Sequence, residues 1–398
     1  MSAIIEVPGP GANVRVLRDE RGWKQEELAR RAGLSRPHIG KIERGERTLT
    51  QGVAAALARA FGVSLEVVLG STPVVGAEDS LKALNSAIRR FDLPAESTTS
   101  PEQLRAALTE LSEIRGKADL TQVLLKLPPL VSEVTNHAHR TGTPEAWAMV
   151  AEAYSCVYWL AARHRWMTLA DLAVTKQKIA AQQADPVTLA VAARDEAGVY
   201  LNHGEFEDGL AVVDRAITQV ERGGATGFER SYALGTLHLR GLTLAGRLGD
   251  KRTADRHIDS AWALAEDFGR DVNRAGGIGG IHFGPQNTAI HVVATCSDLR
   301  RYADAIAVME DLTKDPVRRP LRLPATRTSP MYMNTARSKL ALGDRDGALE
   351  ELEKAWSIAP QMAKVHPTSQ ELIRVLTTLH KRSNPRLVRL AQKADIEF

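Results

Sequence analysis

The run Trp23-Lys24-Gln25-Glu26-Glu27-Leu28-Ala29-Arg30-Arg31-Ala32-Gly33-Leu34-Ser35-Arg36-Pro37-His38-Ile39-Gly40-Lys41-Ile42-Glu43-Arg44-Gly45-Glu46-Arg47 decides how this chain is read. Leu28, Ala29 and Ala32 fall on one face of a helix that Gly33 ends. Ser35 stands where a second helix needs its N-cap, Ile39 and Ile42 turn to the core of that helix, and Gly45 stops it. Two short amphipathic helices therefore meet at a glycine turn, and the second carries Arg36, His38 and Lys41 on its free face. A capped helix with a basic free face has the shape to enter a DNA groove.

Outward from this run the pattern stays helical. Residues 1–10 read as a frayed arm, and from Ala12 a helix turns Val14, Val16 and Leu17 inward until Gly22 closes it. Thr50 caps a helix carrying Val53, Ala54, Leu57, Ala60 and Phe61, which Gly62 stops, and Ser64 caps a short fifth helix through Leu69. Residues 1–70 thus form a compact five-helix unit. It holds eleven Lys and Arg against eight Asp and Glu, so most of the chain's formal charge of +4 belongs to it. That modest excess suits a module reading DNA sequence better than a sheath coating DNA.

Gly70-Ser71-Thr72-Pro73-Val74-Val75-Gly76 cannot continue a helix and reads as a linker. The amphipathic helix Glu78–Phe91 follows, with Leu81, Leu84, Ile88 and Phe91 on one stripe, either packed on its neighbours or pairing two copies of the chain. After Leu93–Ser100 the pattern is helix upon helix. Ser100-Pro101-Glu102-Gln103 is a capping box, and Thr143-Pro144-Glu145 opens another helix without one.

Five turns can be aligned: His164-Arg165-Trp166, Gly204-Glu205-Phe206, Gly249-Asp250-Lys251, Arg300-Arg301-Tyr302 and Gly343-Asp344-Arg345. Three residues beyond them stand Leu169, Gly209, Ala254, Ala305 and Ala348, and seven further on Ala216, Ala261 and Ala355, small enough for paired helices to approach closely. This resembles the tetratricopeptide repeat, with Ala336, Gly343, Ala348, Ala355 and Pro360 the best matches. The turns lie 40, 45, 51 and 43 residues apart, so the helices or their connections are longer than the family's regular repeat. The resemblance implies a right-handed α-solenoid of five or six hairpins, capped by Leu372–Leu379 and Leu387–Ala394.

Composition excludes several classes. At 398 residues the chain exceeds one average core, and a 5% aromatic share favours helices joined through small residues. Cys156 and Cys296 lie far apart in apolar helical context and read as buried thiols. His137 and His139 point to different sides of a helix and make poor metal ligands; no metal and no cofactor is expected. There is no H-E-x-x-H, P-loop or G-x-S-x-G motif, so no enzyme is expected. Arg274-Ala275-Gly276-Gly277-Ile278-Gly279-Gly280-Ile281 follows no predicted strand, which speaks against a dinucleotide site and for an inter-hairpin loop or a lid over a groove. With neither a signal pattern nor an 18-residue apolar run, the expected location is cytoplasmic.

Residues 12–69 resemble the Cro-like, phage-repressor (XRE) class of helix-turn-helix proteins, through Gln25-x-x-Leu28-Ala29, the Gly33 turn, the Ser35 cap and Ile42-Glu43-Arg44-Gly45. The resemblance implies that the helix opened by Ser35 lies in the major groove. Arg36, His38 and Lys41 then read base edges, Pro37 touches a base or sugar, and Gln25, Arg44 and Arg47 hold phosphates. It also implies an internal Arg18–Glu43 bridge and a homodimer on a palindromic operator of double-stranded DNA, with half-sites about 10 base pairs apart.

The order of the two regions resembles the peptide-sensing regulators of Gram-positive bacteria, and Phe283-Gly284-Pro285-Gln286-Asn287-Thr288-Ala289-Ile290-His291 resembles runs of actinobacterial XRE/tetratricopeptide regulators. Counted from the turns, Tyr154, Tyr158, Arg194, Asn202, Asn287, His291 and Arg337 line the groove, as contacts to a peptide, small-molecule or protein ligand or as ties between repeats. The expectation is an all-α chain: a helix-turn-helix DNA-binding domain at 1–70, a linker with an amphipathic helix at 71–100, and an α-solenoid sensor or interaction domain at 101–398. It would be a ligand-sensing transcriptional regulator; the alternative is a protein-interaction scaffold localised to DNA.

Overall fold

The computed structural model describes residues 10–63, 65–69, 78–97, 99–273, 280–315, 320–380 and 384–396. The first five helices are α1 (Pro10–Glu20), α2 (Gln25–Ala32), α3 (Arg36–Glu43), α4 (Gln51–Phe61) and α5 (Leu65–Leu69). Val14, Leu28, Ile39, Ile42, Leu57 and Val68 form their buried centre. Gly33 ends α2 in the left-handed region (φ +65°), its N–H returning to Ala29 and Arg30 carbonyls; a side chain there would be strained. Thr50 caps α4 by accepting the Val53 N–H. Two expectations change: Val16 is 45% exposed, one position off the inward stripe, and Ser35 has the extended backbone of an N-cap while its hydroxyl accepts no cap hydrogen bond. The Ser64 cap and the Gly70–Gly76 linker lie outside the described residues.

Helix α6 (Glu78–Arg89) buries Leu84 and Ile88, with Phe91 just beyond its end, against the long helix α8 (Leu120–Thr141), which pairs with α7 (Pro101–Gly116). Its apolar stripe is thus covered within the chain, and the capping box at Ser100 and Gln103 forms as expected. Four more hairpins follow: α9 (Pro144–His164) with α10 (Met167–Ala181), α11 (Pro186–His203) with α12 (Phe206–Arg222), α13 (Gly227–Leu248) with α14 (Lys251–Glu266), and α15 (Pro285–Asp298) with α16 (Tyr302–Thr313). The sixth is α17 (Ala325–Ala341) with α18 (Arg345–Ile358), and α19 (Pro360–Val365), α20 (Pro367–Leu379) and α21 (Pro385–Lys393) finish the chain.

From α9 onward the first helices of successive hairpins pack on one another and form an inner row, and the second helices stand outside it. Ala254, Ala261, Ala305, Ala348 and Ala355 are fully buried where the helices of a hairpin cross. A short antiparallel pair, β1 (Val272–Asn273) with β2 (His282–Phe283), joins α14 to α15 and brackets the glycine-rich stretch. A two-residue strand therefore precedes that stretch, whose residues 274–279 lie outside the described ones.

The last helices return to the first hairpin. Gln361, on α19, accepts the Thr121 N–H at 3.2 Å and donates to Asp119 at 3.2 Å, while Ala118, Ala359 and Met362 share an apolar cluster. The row of hairpins is closed into a ring instead of ending open. The helix-turn-helix unit is built onto this ring. One buried apolar cluster runs from Val14 and Leu57 to Val191, Leu244 and Phe283. A Cβ on Gly52 of α4 would lie 2.5 Å from the Arg247 carbonyl oxygen, and one on Gly204 would lie 2.8 Å from Ala55 Cβ.

Helix α13 depends on small residues in the same way. A Cβ on Gly235 would sit 2.2–2.4 Å from the ring atoms of the fully buried Phe283. We predict that Gly235→Ala lowers unfolding free energy by about 1–3 kcal/mol, the usual cost of overpacking, measurable by urea denaturation. An unchanged midpoint would refute so tight an approach.

Candidate nucleic-acid interface

The frame of the first unit is an internal ion pair. Arg18 Nε donates to Glu43 Oε1 at 2.6 Å and Nη2 to Glu43 Oε2 at 3.0 Å, while Nη1 donates to the Trp23 carbonyl at 2.8 Å. The side chains are 11% and 3% exposed, and the hydrogen bond to Glu43 raises the Arg18 guanidinium above its ordinary value. Helices α1 and α3 are thereby tied across the middle of the unit, the bridge expected from the family resemblance. Gln25 Nε2 donates to Glu43 Oε2 at 2.9 Å, so the structure uses the amide assigned to a phosphate as a third arm of this frame. Beside it Trp23 stacks on Phe61 at 5.8 Å, with Arg31 over the indole at 4.4 Å.

On α3 the expected readers divide. Arg36, Pro37 and Lys41 are exposed, with Arg36 Nε held 2.8 Å from Glu26 on the preceding helix. A surface pair of this kind is weak enough to yield to a phosphate or a base. Arg44 is exposed and forks onto Glu46 at 2.7 and 2.9 Å; Arg47 is half-buried. His38 departs from its expected place. It is 8% exposed, and burial, followed by the charges of Arg47, Arg300 and Lys41, pushes its imidazole down to about 4, so it is neutral at pH 7. Arg300 belongs to the α15–α16 turn, so a charge of the ring acts on His38, which is buried in this arrangement.

The groove candidates divide similarly. Tyr154 is fully buried, edge-on to Phe91 at 5.7 Å, and belongs to the core. Asn287 is held in place: its side-chain amide donates to the His282 carbonyl at 2.6 Å and its backbone N–H to Asp271 at 2.8 Å. Arg337 is a tie between repeats, donating to Ser297 at 2.8 Å and Asp298 at 2.7 Å. Tyr158, Arg194, Asn202 and His291 remain on the inner row. Asn202 donates to Tyr158 at 3.4 Å, Arg194 pairs with Asp195 at 2.8 Å, and His291 Nδ1 lies 3.3 Å from Thr243 Oγ1.

A helix-turn-helix family model matches residues 14–68. A hypothetical transcription factor of Neisseria meningitidis is 31% identical over 85 residues, 21% of this chain and 76% of that protein. An HTH-type transcriptional regulator of Sinorhizobium fredii, y4dJ, is 43% identical over 54 residues, 14% of this chain and 70% of that one. This chain belongs to the helix-turn-helix transcriptional regulators. The sequence matches lie in the first unit, and the hairpins make up the larger part of the regulator. Across 92% of this chain and 99% of the other, the structure of Bacillus thuringiensis PlcR in complex with the peptide PapR7 and DNA aligns at 10% identity with a TM-score of 0.29. Among the described residues no helix is long and apolar enough to cross a membrane, and no cluster could hold a metal ion.

Sequence reasoning missed the joint between this unit and the ring. The Leu49 N–H donates to Glu371 Oε1 on α20 at 3.1 Å, Gly45 rests near Thr378, and Arg59 reaches the Gly204 carbonyl at 3.5 Å. An apolar Leu49 among the polar residues of a loop was the one available signal. Burial raises the Glu371 carboxyl to about 7, against the opposing pull of Arg374 and the Leu49 N–H. A carboxyl raised on folding gives stability that is complete below its unfolded value and is lost as pH rises through the folded one.

Two outcomes follow. Between pH 5 and pH 8 the regulator is expected to lose more stability than Glu371→Gln does, read as diverging urea midpoints; parallel profiles would remove Glu371 from the joint. Glu43→Ala is expected to lower unfolding free energy by about 2 kcal/mol through loss of charged hydrogen bonds. Lost operator affinity at an unchanged midpoint would instead place Glu43 on the DNA.

Proposed function

We propose that the regulator binds its operator as a homodimer and that the ring of hairpins, by holding the helix-turn-helix unit, sets when α3 reaches DNA. The observation that carries this reading is the apolar core that the helix-turn-helix unit shares with the ring, with His38 buried on α3. In the bound form Arg36 and Lys41 read base edges and Pro37 packs beside them, with Arg36 suited to guanine O6 and N7. Ser35, at the start of α3, offers a phosphate the hydroxyl that caps no N–H of the helix, and Arg44 and Arg47 clamp the neighbouring ones. Gln25 reaches the backbone only if it leaves Glu43. His38 joins the readers when the joint at Leu49 and Glu371 opens.

A ligand in the ring shifts this equilibrium only by binding the two arrangements unequally. Control by a ligand is favoured over a passive scaffold because α4 and α5 of the helix-turn-helix unit meet the ring at α11 and α13, two helices of its inner row.

The test is fluorescence anisotropy on an operator recovered by genome-wide footprinting. Arg36→Ala is expected to cost about 1–3 kcal/mol of specific affinity and to relax preference at one base pair. Arg44→Ala should weaken all sequences alike and flatten the salt slope by about 0.9. Equal loss on specific and random DNA for Arg36→Ala would overturn the assignment of α3 as the reader.

A further inference from the structure

The first helix of every hairpin contributes one cationic or imidazole side chain to the inside of the ring: Arg115, Arg163, Arg194, Arg240, His291 and Arg327, in chain order. Contacts link them. Arg115 and Arg163 lie 5.1 and 5.0 Å from the Trp159 ring centre. Arg327 Nη2 donates to the Gly280 carbonyl at 3.3 Å, and a Cβ on Gly280 would touch Arg115 Nε at 3.0 Å. Arg240 Nε donates to the Arg194 carbonyl at 3.1 Å, while its Nη2 and the Tyr158 hydroxyl both lie over Gly198.

These charges repel one another in a desolvated place. Burial, then Arg194, Arg115, Arg163 and Arg240, pushes the Arg327 guanidinium well below its ordinary value, and burial with the same neighbours brings Arg163 to about 10. Among the described residues two carboxylates face the group. Asp195 is already shared among Arg194, Ser155 and Gln177, and Glu152 lies beside Arg115. Arg327 Nε is buried with no hydrogen-bond partner. Five guanidinium groups against two carboxylates is an arrangement that folding alone does not favour, because an unbalanced buried charge is costly.

An anion with several charged groups removes that cost. Guanidinium forks hold phosphate or carboxylate oxygens in pairs, and helices placed around a ring offer such forks from several directions. The neutral His291 and the Tyr158–Asn202 pair can hydrogen-bond the uncharged part of a ligand. The contact of the last helices with the first hairpin, through Gln361 and Asp119, closes the ring around these side chains and favours a small molecule over a folded partner. We infer that the inside of the ring is a binding site for a small polyanion, a metabolite bearing two or more phosphate or carboxylate groups. Its regulatory meaning rests on the function proposed above; its binding does not.

The test uses the full chain carrying Arg36→Ala and Lys41→Ala, so that the DNA helix does not capture the probe. Inorganic tripolyphosphate, citrate and an aspartate-rich peptide are titrated calorimetrically at fixed ionic strength, with melting followed in parallel. One saturable site for tripolyphosphate or citrate is expected, and the tighter of the two assigns phosphate esters or polycarboxylates. Arg163→Gln or Arg327→Gln should weaken that site at least tenfold while the ligand-free variant melts at or above its parent, a repulsive charge having gone. The inference is overturned by no saturable binding, by saturation with the peptide alone, by variants that bind as well as the parent, or by ligand-free variants that melt lower. With the DNA helix intact, a polyanion that binds but leaves operator affinity unchanged keeps the site and removes the control.

Discussion

Everything in this molecule depends on α4 being able to lie between two cores. Its sequence, Gln51-Gly52-Val53-Ala54-Ala55-Ala56-Leu57-Ala58-Arg59-Ala60-Phe61, gives Leu57 and Phe61 to the first unit and leaves Gly52 and Ala55 for the ring. Close approach to the Arg247 carbonyl and to Gly204 works only where side chains are this small, since neither backbone can retreat. A larger residue on that face would part the unit from the hairpins without harming either. The burial of His38, the bond from Leu49 to Glu371 and the continuous apolar cluster all follow from that fit.

Charge is distributed by the same logic. Around the helix-turn-helix frame it is balanced, with Arg18 and Glu43 neutralising each other and Arg44 folded onto Glu46. Inside the ring it is not, because five guanidinium groups there act on one another with two carboxylates beside them. Balanced charges fix geometry, and an excess of one sign stores an attraction for something else. The first kind builds the reader, and the second gives the larger region its chemistry.

How much of this is written locally explains what could be read. Gly33, Thr50, Ser100 and Gly343 act within a few residues, so helix ends and all five aligned turns were legible. The Arg18–Glu43 bridge was legible through family resemblance because the spacing of its helices is short and fixed. Closure of the ring was not, since Gln361 and Asp119 stand more than two hundred residues apart and each is ordinary in its own setting. The burial of His38 was not legible for a related reason: its helical face is basic and polar, and one of the charges that reach it, Arg300, comes from a turn more than two hundred residues away. One clue went unused. Gly52, Ala55 and Ala58 make α4 apolar on the side away from its own core, which marks a helix buried on both faces.

The two halves of the molecule are coupled through particular helices, and this limits how a signal can travel. Helix α11 carries Arg194 in its middle and hands the chain to Gly204, which seats Ala55; α13 carries Arg240 and ends near Arg247, whose carbonyl seats Gly52. Arg240 also donates to the Arg194 carbonyl, so the spacing of α11 and α13 is set from inside the ring. An anion drawing the two guanidinium groups together, or replacing that bond, would alter the distance between the two seats on which α4 rests. Because the seats are tight, a change of a few tenths of an ångström would be felt as a clash or a gap. The packing that holds α4, and with it the helix-turn-helix unit, against the ring therefore lies one helix length from the charges inside it, and no longer path is required.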